Sequence, residues 1–182
     1  FLSLTYYLKM NITSTQNPLI KKIALLSEKS RERKKQGLCV VEGAREIRLA
    51  LQGGYSLENL LYQPDIFSEK QLTELLGYTD QKVTPIAISK EVYEKISYRS
   101  STEGVIALVE VKKHTLDTLA FKNKKPLLLV AEAPEKPGNI GALLRTADAA
   151  HIDAVIIANP KTDLYNPNII RSSVGCVFTV SI

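Results

Sequence analysis

Cysteine is scarce: only Cys39 and Cys176 occur in 182 residues. They are far apart, lack metal-ligand spacing and follow no secretory leader, which argues against a disulfide-stapled secreted fold and for two reduced thiols in the cytoplasm. Histidine is as rare. His114 and His151 are isolated, with no nucleophile or ligand at a telling spacing, so both are assigned to surface or turn positions and no metal site is expected. No apolar run approaches the roughly 18 residues of a membrane span, and an integral membrane protein is not expected. Residues 1–8 are apolar but short, with neither a starting methionine nor a basic leader. They read as an upstream extension, with Met10 as the native start. Neither the dinucleotide Gly-x-Gly-x-x-Gly nor the phosphate-loop Gly-x-x-x-x-Gly-Lys-Ser/Thr spacing is found, which disfavours a nucleotide cofactor in either of those sites. Internal repeats and low-complexity tracts are absent too.

What is present is a globular composition, 45% hydrophobic and 24% charged, sufficient for one large domain or two small ones. The net charge of +5 is modest, but it is concentrated. Between residues 21 and 35 seven bases (Lys21, Lys22, Lys29, Arg31, Arg33, Lys34, Lys35) face two acids (Glu28, Glu32), and the rest of the chain is balanced. A local basic stripe is the footprint of a polyanion site, although a solvated helix face would look the same.

Asn17 followed by Pro18 offers an N-cap and a first-turn proline, and Leu19, Ile20, Ile23 and Leu26 recur at helical spacing, predicting one helix up to Gly37. Its second half has almost no apolar residue and should project into solvent with the basic residues on it. A strand over 38–41, a helix over 44–52 and a strand over 57–63 follow. Ser68 and Gln71 make a capping box for a helix ended by Gly77. A strand over 82–88, despite Pro85, a helix capped by Ser89 and a β-branched strand over 104–111 complete an α/β domain at 10–113. Residues 114–125 read as a linker. The run 126–130 is continuously apolar, as in a strand buried on both faces. A loop over 132–138, a helix over 139–150, a strand over 154–158 and a third strand over 177–182 then suggest a parallel sheet, with the functional loop after its first strand.

That loop opens the sharpest local feature, Glu135-Lys-Pro-Gly-Asn-Ile-Gly-Ala-Leu-Leu-Arg-Thr-Ala147. Pro137 and Gly138 set a turn, Asn139 can cap the helix, and Gly141 permits close approach of backbone or ligand. Arg145, on the second turn, could hold a phosphate through two parallel hydrogen bonds. An ordinary capped helix with a surface arginine is the commoner explanation of these residues, since capped helices far outnumber sites. The Gly138-Asn-Ile-Gly141 loop matches KH domains only weakly, since there it joins two helices and here a strand precedes it.

The segment Lys136-Pro-Gly-Asn-Ile-Gly-Ala-Leu-Leu-Arg-Thr-Ala-Asp148 closely resembles the first signature of the SpoU (TrmH-type) RNA 2′-O-ribose methyltransferases of the SPOUT superfamily, whose core is Asn-x-Gly-x-x-x-Arg. Asn17-Pro-Leu-Ile-Lys-Lys22, Arg31-Glu-Arg33 and Val40-Val-Glu-Gly43 resemble the family's first domain, and Ile170-Arg-Ser-Ser-Val-Gly175 a segment of its second. The resemblance implies a small α/β substrate-binding domain, similar to an RNA-binding ribosomal protein, at residues 10–113. It also implies a parallel-sheet, trefoil-knot methyltransferase domain, of which 126–182 is the amino-terminal part. It implies S-adenosylmethionine as methyl donor, rRNA or tRNA as partner, a homodimer, and Asn139 and Arg145 at the catalytic centre. Glu42 and Gly43 match a signature that serves as a structural turn or an RNA contact. The later signatures, Gly-x-Glu-x-x-Gly and Ile-Pro…Ser-Leu-Asn-Val-Ser, are not found, so a truncated chain is expected, with the main donor loops beyond Ile182 and little affinity for the donor as it stands.

A ribose hydroxyl is a poor nucleophile at neutral pH, whereas a sulfonium methyl is already activated, so the protein must orient an in-line attack and help remove one proton. Arginine is a poor base, and Arg145 is expected to hold the adjacent phosphate and stabilise developing alkoxide charge. Asn139 would orient Arg145 or the ribose, and Arg31, Arg33, Lys34 and Lys35 would supply phosphate contacts. The alternatives are a non-catalytic RNA-binding module and a doubly wound small-molecule enzyme.

Overall fold

The computed structural model describes residues 11–98, 103–121 and 123–182, and the expected upstream extension lies outside them. The first unit runs β1 (Asn11–Ile12), α1 (Pro18–Glu28), α2 (Ser30–Gln36), β2 (Leu38–Glu42), α3 (Ala44–Gln52), β3 (Leu57–Tyr62), α4 (Glu69–Leu76), β4 (Ile86–Ile88), α5 (Lys90–Ile96) and β5 (Val105–Glu110). The second runs β6 (Leu128–Glu132), α6 (Pro137–Ala149), β7 (Ala154–Ala158) and α7 (Pro167–Ser172). Both are α/β. No helix among the described residues is long and apolar enough to cross a membrane.

The first unit is a mixed sheet in the order β1-β4-β3-β5-β2, with β5 antiparallel to both β2 and β3. Alternation along the strands divides its side chains between two cores. Leu38, Val40, Ile106 and Leu108 face α1 and α5, whose Ile20, Ile23, Leu26, Val92 and Ile96 are buried against them. Cys39, Val41, Ala107 and Val109 face α3 and α4 on the opposite side. That second core continues into Ile140, Leu144 and Ala147 of α6, Ile169 and Ile170 of α7, and Phe178. The two units therefore share one apolar layer, and removing a fully buried member such as Leu144 would forfeit about 1.5–3 kcal/mol of transfer free energy.

Aromatic packing reinforces the seam. Tyr55 meets Phe178 edge-on at 5.0 Å between ring centroids and Tyr165 at 6.2 Å. The Tyr165 hydroxyl lies 3.0 Å from that of Tyr55 and 2.8 Å from His114 Nε2, accepts from the Lys112 amide at 3.1 Å, and can donate to the Lys112 carbonyl at 3.2 Å. Burial pushes both phenols above their ordinary range. His114 is thus half-buried and bonded, with Ile182 O 3.0 Å from Nδ1, and is no free surface residue; burial, more than the nearby Lys112 charge, holds its pKa down. His151 occupies an exposed turn with φ 51°, as expected.

Four expectations about elements are corrected. The predicted single first helix is broken at Lys29, which is extended (φ −108°, ψ 108°). The strand over 82–88 shrinks to β4, because the ladder begins only after Pro85, which has no amide to give. The run 126–130 forms β6 two residues later, and Leu127, Leu128 and Val130 are 58%, 40% and 62% exposed, so one face of this strand is open rather than buried. Residues 177–182 form no strand. A 3₁₀ turn, Cys176–Phe178, follows Gly175 (φ 86°), and its amides bond locally, those of Cys176 and Phe178 to carbonyls three residues back and that of Val177 to Ser173 Oγ. Of the expected pairing, the bond from the Val155 amide to the Ser181 carbonyl is present, at 2.8 Å.

Candidate active site

β6 and β7 are parallel and in register from Leu128↔Ala154 to Glu132↔Ala158. Their carboxyl ends are tied by the Ala133 amide to the Ala158 carbonyl at 2.9 Å and by Asn159 Nδ2 to Glu132 Oε1 at 2.8 Å. Ala133 (φ 45°) and Asn159 (φ 48°) both turn the chain through the left-handed region there. Such an end of a parallel sheet is where loops gather to make sites.

α6 starts at this end. Pro137 sits in its first turn and Lys136 is the N-cap, without a side-chain hydrogen bond. Asn139 is therefore not the cap expected of it. Its amide bonds the Lys136 carbonyl at 3.0 Å, and its side chain is exposed within the first turn. Ile140, Gly141, Leu144 and Ala147 form the buried face, leaving Arg145 on the exposed side. Six residues of helix separate Asn139 from Arg145 by roughly 9 Å along the axis and about 120° around it. Among the described residues no hydrogen bond joins the two side chains.

Gly141 is where α7 crosses α6. A Cβ on it would collide with Ser172 Oγ and stand 2.6 Å from the Ser173 amide, so the close approach foreseen at this glycine is an approach of backbone. Ser172 Oγ in turn donates to the Asn168 carbonyl at 2.6 Å, with the Pro137 carbonyl 3.4 Å away. Replacing Gly141 by alanine must push the two helices apart, and a loss of about 1–3 kcal/mol in urea unfolding is expected. Unchanged stability would mean that the crossing yields freely.

Two neighbours of Arg145 escaped the sequence reading. The Cys176 thiol has its pKa raised by partial burial and then by the charge and hydrogen bond of Asp148, with Arg145 opposing. Asp148 follows Arg145 by three residues and so shares its side of α6, a spacing that could have been noticed. Nothing local to Cys176 announced its place beside them.

The basic stripe divides in the folded chain. On α2, Arg31, Lys34 and Lys35 fall within about 100° of helix circumference and all are exposed. Arg33 points the other way and is only 3% exposed. Its Nη1 donates to the carbonyls of Leu26 and Ser27 at 2.6 and 3.2 Å, and its Nε to Asp163 at 2.5 Å. The expectation that Arg33 belongs to a solvent-facing phosphate surface is therefore corrected, because its guanidinium is spent inside the protein.

Between the units runs a groove of about 740 Å³, walled by Pro134, Ile157, Ala158 and Leu164 and rimmed by Lys34 and Lys113. It opens at the carboxyl ends of β6 and β7, next to the loop that precedes Asn139.

Residues 17–107 match the MRM3-like substrate binding domain, and residues 126–182 match the SpoU rRNA Methylase family. A 23S rRNA (uridine(2479)-2′-O)-methyltransferase of Streptomyces viridochromogenes is 30% identical over 158 residues, covering 86% of this chain and 54% of that protein. A crystal structure of an RNA 2′-O ribose methyltransferase is 39% identical, covers 94% of this chain and 64% of that one, and superposes with a TM-score of 0.77. The SpoU methyltransferase AviRb from Streptomyces viridochromogenes, crystallised in complex with AdoMet, is 28% identical with a TM-score of 0.79, over 91% of this chain and 62% of its own. The chain spans about half the length of the curated relatives it matches. Two family matches in sequence order, on two units whose fold agrees with theirs, mean that the chain belongs to the SpoU rRNA methylase family, with an MRM3-like substrate-binding domain ahead of its SpoU unit.

Proposed function

We propose that the whole protein transfers a methyl group from S-adenosylmethionine to a ribose 2′-hydroxyl of rRNA or tRNA, and that Arg145 and Asn139 lie at its catalytic centre. The single observation that carries this reading is the Asn139-x-Gly141-x-x-x-Arg145 segment. It lies at the carboxyl end of a parallel strand pair, with both polar side chains exposed and the glycine used for packing. The chemistry named for the relatives agrees with it.

The interdomain groove has the volume of a small-molecule site, and its apolar wall at Pro134, Ile157 and Ala158 suits the flat face of an adenine. Those residues would line the donor. When bound, the donor supplies a sulfonium methyl ready for in-line attack. This chain's part is to hold the ribose and its phosphate. Arg145 has no hydrogen bond or ion pair among the described residues, so its guanidinium can grip a phosphate by two donors and stabilise negative charge growing on the 2′-oxygen. Asn139 makes no hydrogen bond to Arg145 among the described residues, and its exposed amide orients the ribose or, once RNA is bound, Arg145. The proton of the 2′-hydroxyl passes to water. A homodimer in the cytoplasm, with two reduced cysteines, belongs to the same proposal.

The test is transfer of tritiated methyl from the labelled donor to rRNA and tRNA by the whole protein. Incorporation into alkali-resistant, ribose-methylated dinucleotides is expected, and base methylation or no transfer at all would refute the reading. RNA recognition by the exposed arc of α2 gives a second expectation. Replacing Arg31 and Lys35 together by alanine should reduce the slope of log affinity against log salt by up to about two units, one for each phosphate that is no longer neutralised. An unchanged slope would make α2 a merely solvated helix.

A further inference from the structure

The loop between β7 and α7 lies against α2 and encloses a second, smaller cleft. It measures about 300 Å³ and is lined by Ser30, Lys34, Pro160, Lys161, Thr162 and Asn166, together with Glu28, Arg33 and Asp163. Its walls are mostly polar. Hydroxyls and an amide stand beside ammonium groups, a set suited to a phosphodiester rather than to an apolar ligand. The charges sort themselves. Arg33 and Asp163 neutralise each other at the base through their 2.5 Å contact, which leaves Lys34 and Lys161, both exposed, against Glu28 on the rim. One lysine comes from each unit. Lys34 also lines the larger groove, so cleft and groove form one trough that leads from α2 to the loop before Asn139.

We propose that this cleft is a phosphate-binding subsite of the RNA path, in which Lys34 of the substrate-binding domain and Lys161 of the SpoU unit grip the same stretch of backbone. The inference rests on the RNA-methylating reading above and adds a contact on the SpoU unit itself. Its consequence is that RNA is held across the seam between the units, so that the strand gripped there passes the mouth of the groove on the side of the loop that precedes Asn139.

The probe is a fluorescein-labelled single-stranded oligoribonucleotide of mixed sequence, about twenty nucleotides long, titrated with the full chain by anisotropy at several salt concentrations. Lys161→Ala should weaken binding about three- to tenfold and lower the salt slope by about 0.7–0.9. Lys34→Ala should do the same, and Glu28→Gln, which removes the opposing carboxylate, should tighten binding. All three positions are exposed, and circular dichroism would verify that each variant is folded. Full affinity in Lys161→Ala, alongside weakened binding in the Arg31/Lys35 variant, would overturn the cleft while leaving RNA recognition by α2 intact. Full affinity in every variant would overturn RNA recognition by this face altogether.

Discussion

Arg145→Ala in the whole protein is expected to lower the rate of methyl transfer by about 10²–10³-fold, or roughly 3–4 kcal/mol in the barrier, if the guanidinium acts on charge that develops in the transition state. The fold should not suffer. Arg145 is exposed on the outer side of α6, and substitutions at such positions stay within about 0.5 kcal/mol. Ile140, Leu144 and Ala147, which anchor the helix, are untouched. A helix-surface cation with no hydrogen bond or ion pair among the described residues contributes little to stability. Arg145→Lys separates two roles. Lysine keeps the charge but loses the planar pair of donors, so a lysine variant as slow as the alanine one would assign the effect to two-point grip of a phosphate, whereas substantial rescue would assign it to charge alone. Single-turnover transfer of tritiated methyl, beside a thermal melt, decides the matter. Wild-type turnover in Arg145→Ala would remove the residue from the mechanism.

Much of the architecture was legible because local signals agreed with the packing. The Ser68–Gln71 capping box is formed, Ser89 caps α5 by accepting from the Val92 amide at 3.3 Å, and Asn17 caps α1 by accepting from the Leu19 amide at 2.8 Å. Strands β2 and β5 alternate between the two cores as their sequences suggest. Failures arose where a tertiary partner overrode a local preference. The stretch 18–36 has the composition of one helix, yet it breaks at Lys29. The break frees the carbonyls of Leu26 and Ser27, and Arg33 satisfies them. The β-branched run 177–182 has the composition of a strand, but Gly175 in the left-handed region starts a turn that delivers Phe178 to Tyr55 instead. In the candidate site, Asn139 and Arg145 were found through a motif, and Gly141 through the need for close approach. Asp148, three residues on along the same helix, was legible but overlooked, whereas the place of Cys176 beside them depends on how the turn after α7 packs on α6.

Arg33 supplies the other large effect, on stability rather than on turnover. Composition placed it among the phosphate-binding bases, but the fold uses it as a clamp. Lying 3% exposed, it joins the last turn of α1 to Asp163 of the β7–α7 loop, whose side chain is 9% exposed. Cys39 lies under the same pair. Burial first, and then the Asp163 charge, push its thiol pKa upward, with Arg33 opposing. Arg33→Ala would leave a buried carboxylate and two helix-terminal carbonyls without their partner. Breaking a buried pair in this one-sided way costs about 3–5 kcal/mol, far more than the pair contributes relative to an apolar replacement. For a chain of this size that corresponds to a fall in melting temperature of roughly 6–20 °C if both units unfold together. Asp163→Asn, which strands the guanidinium instead, should also destabilise. The double variant Arg33→Met/Asp163→Leu should recover much of the stability, because neither charge then remains buried alone. Urea unfolding followed by circular dichroism reads all four proteins. Oligoribonucleotide titration on the folded fraction then discriminates between clamp and RNA ligand: a clamp predicts an unchanged salt slope in the double variant. A slope lowered by about one unit in Arg33→Ala, with stability unchanged, would return Arg33 to the RNA surface.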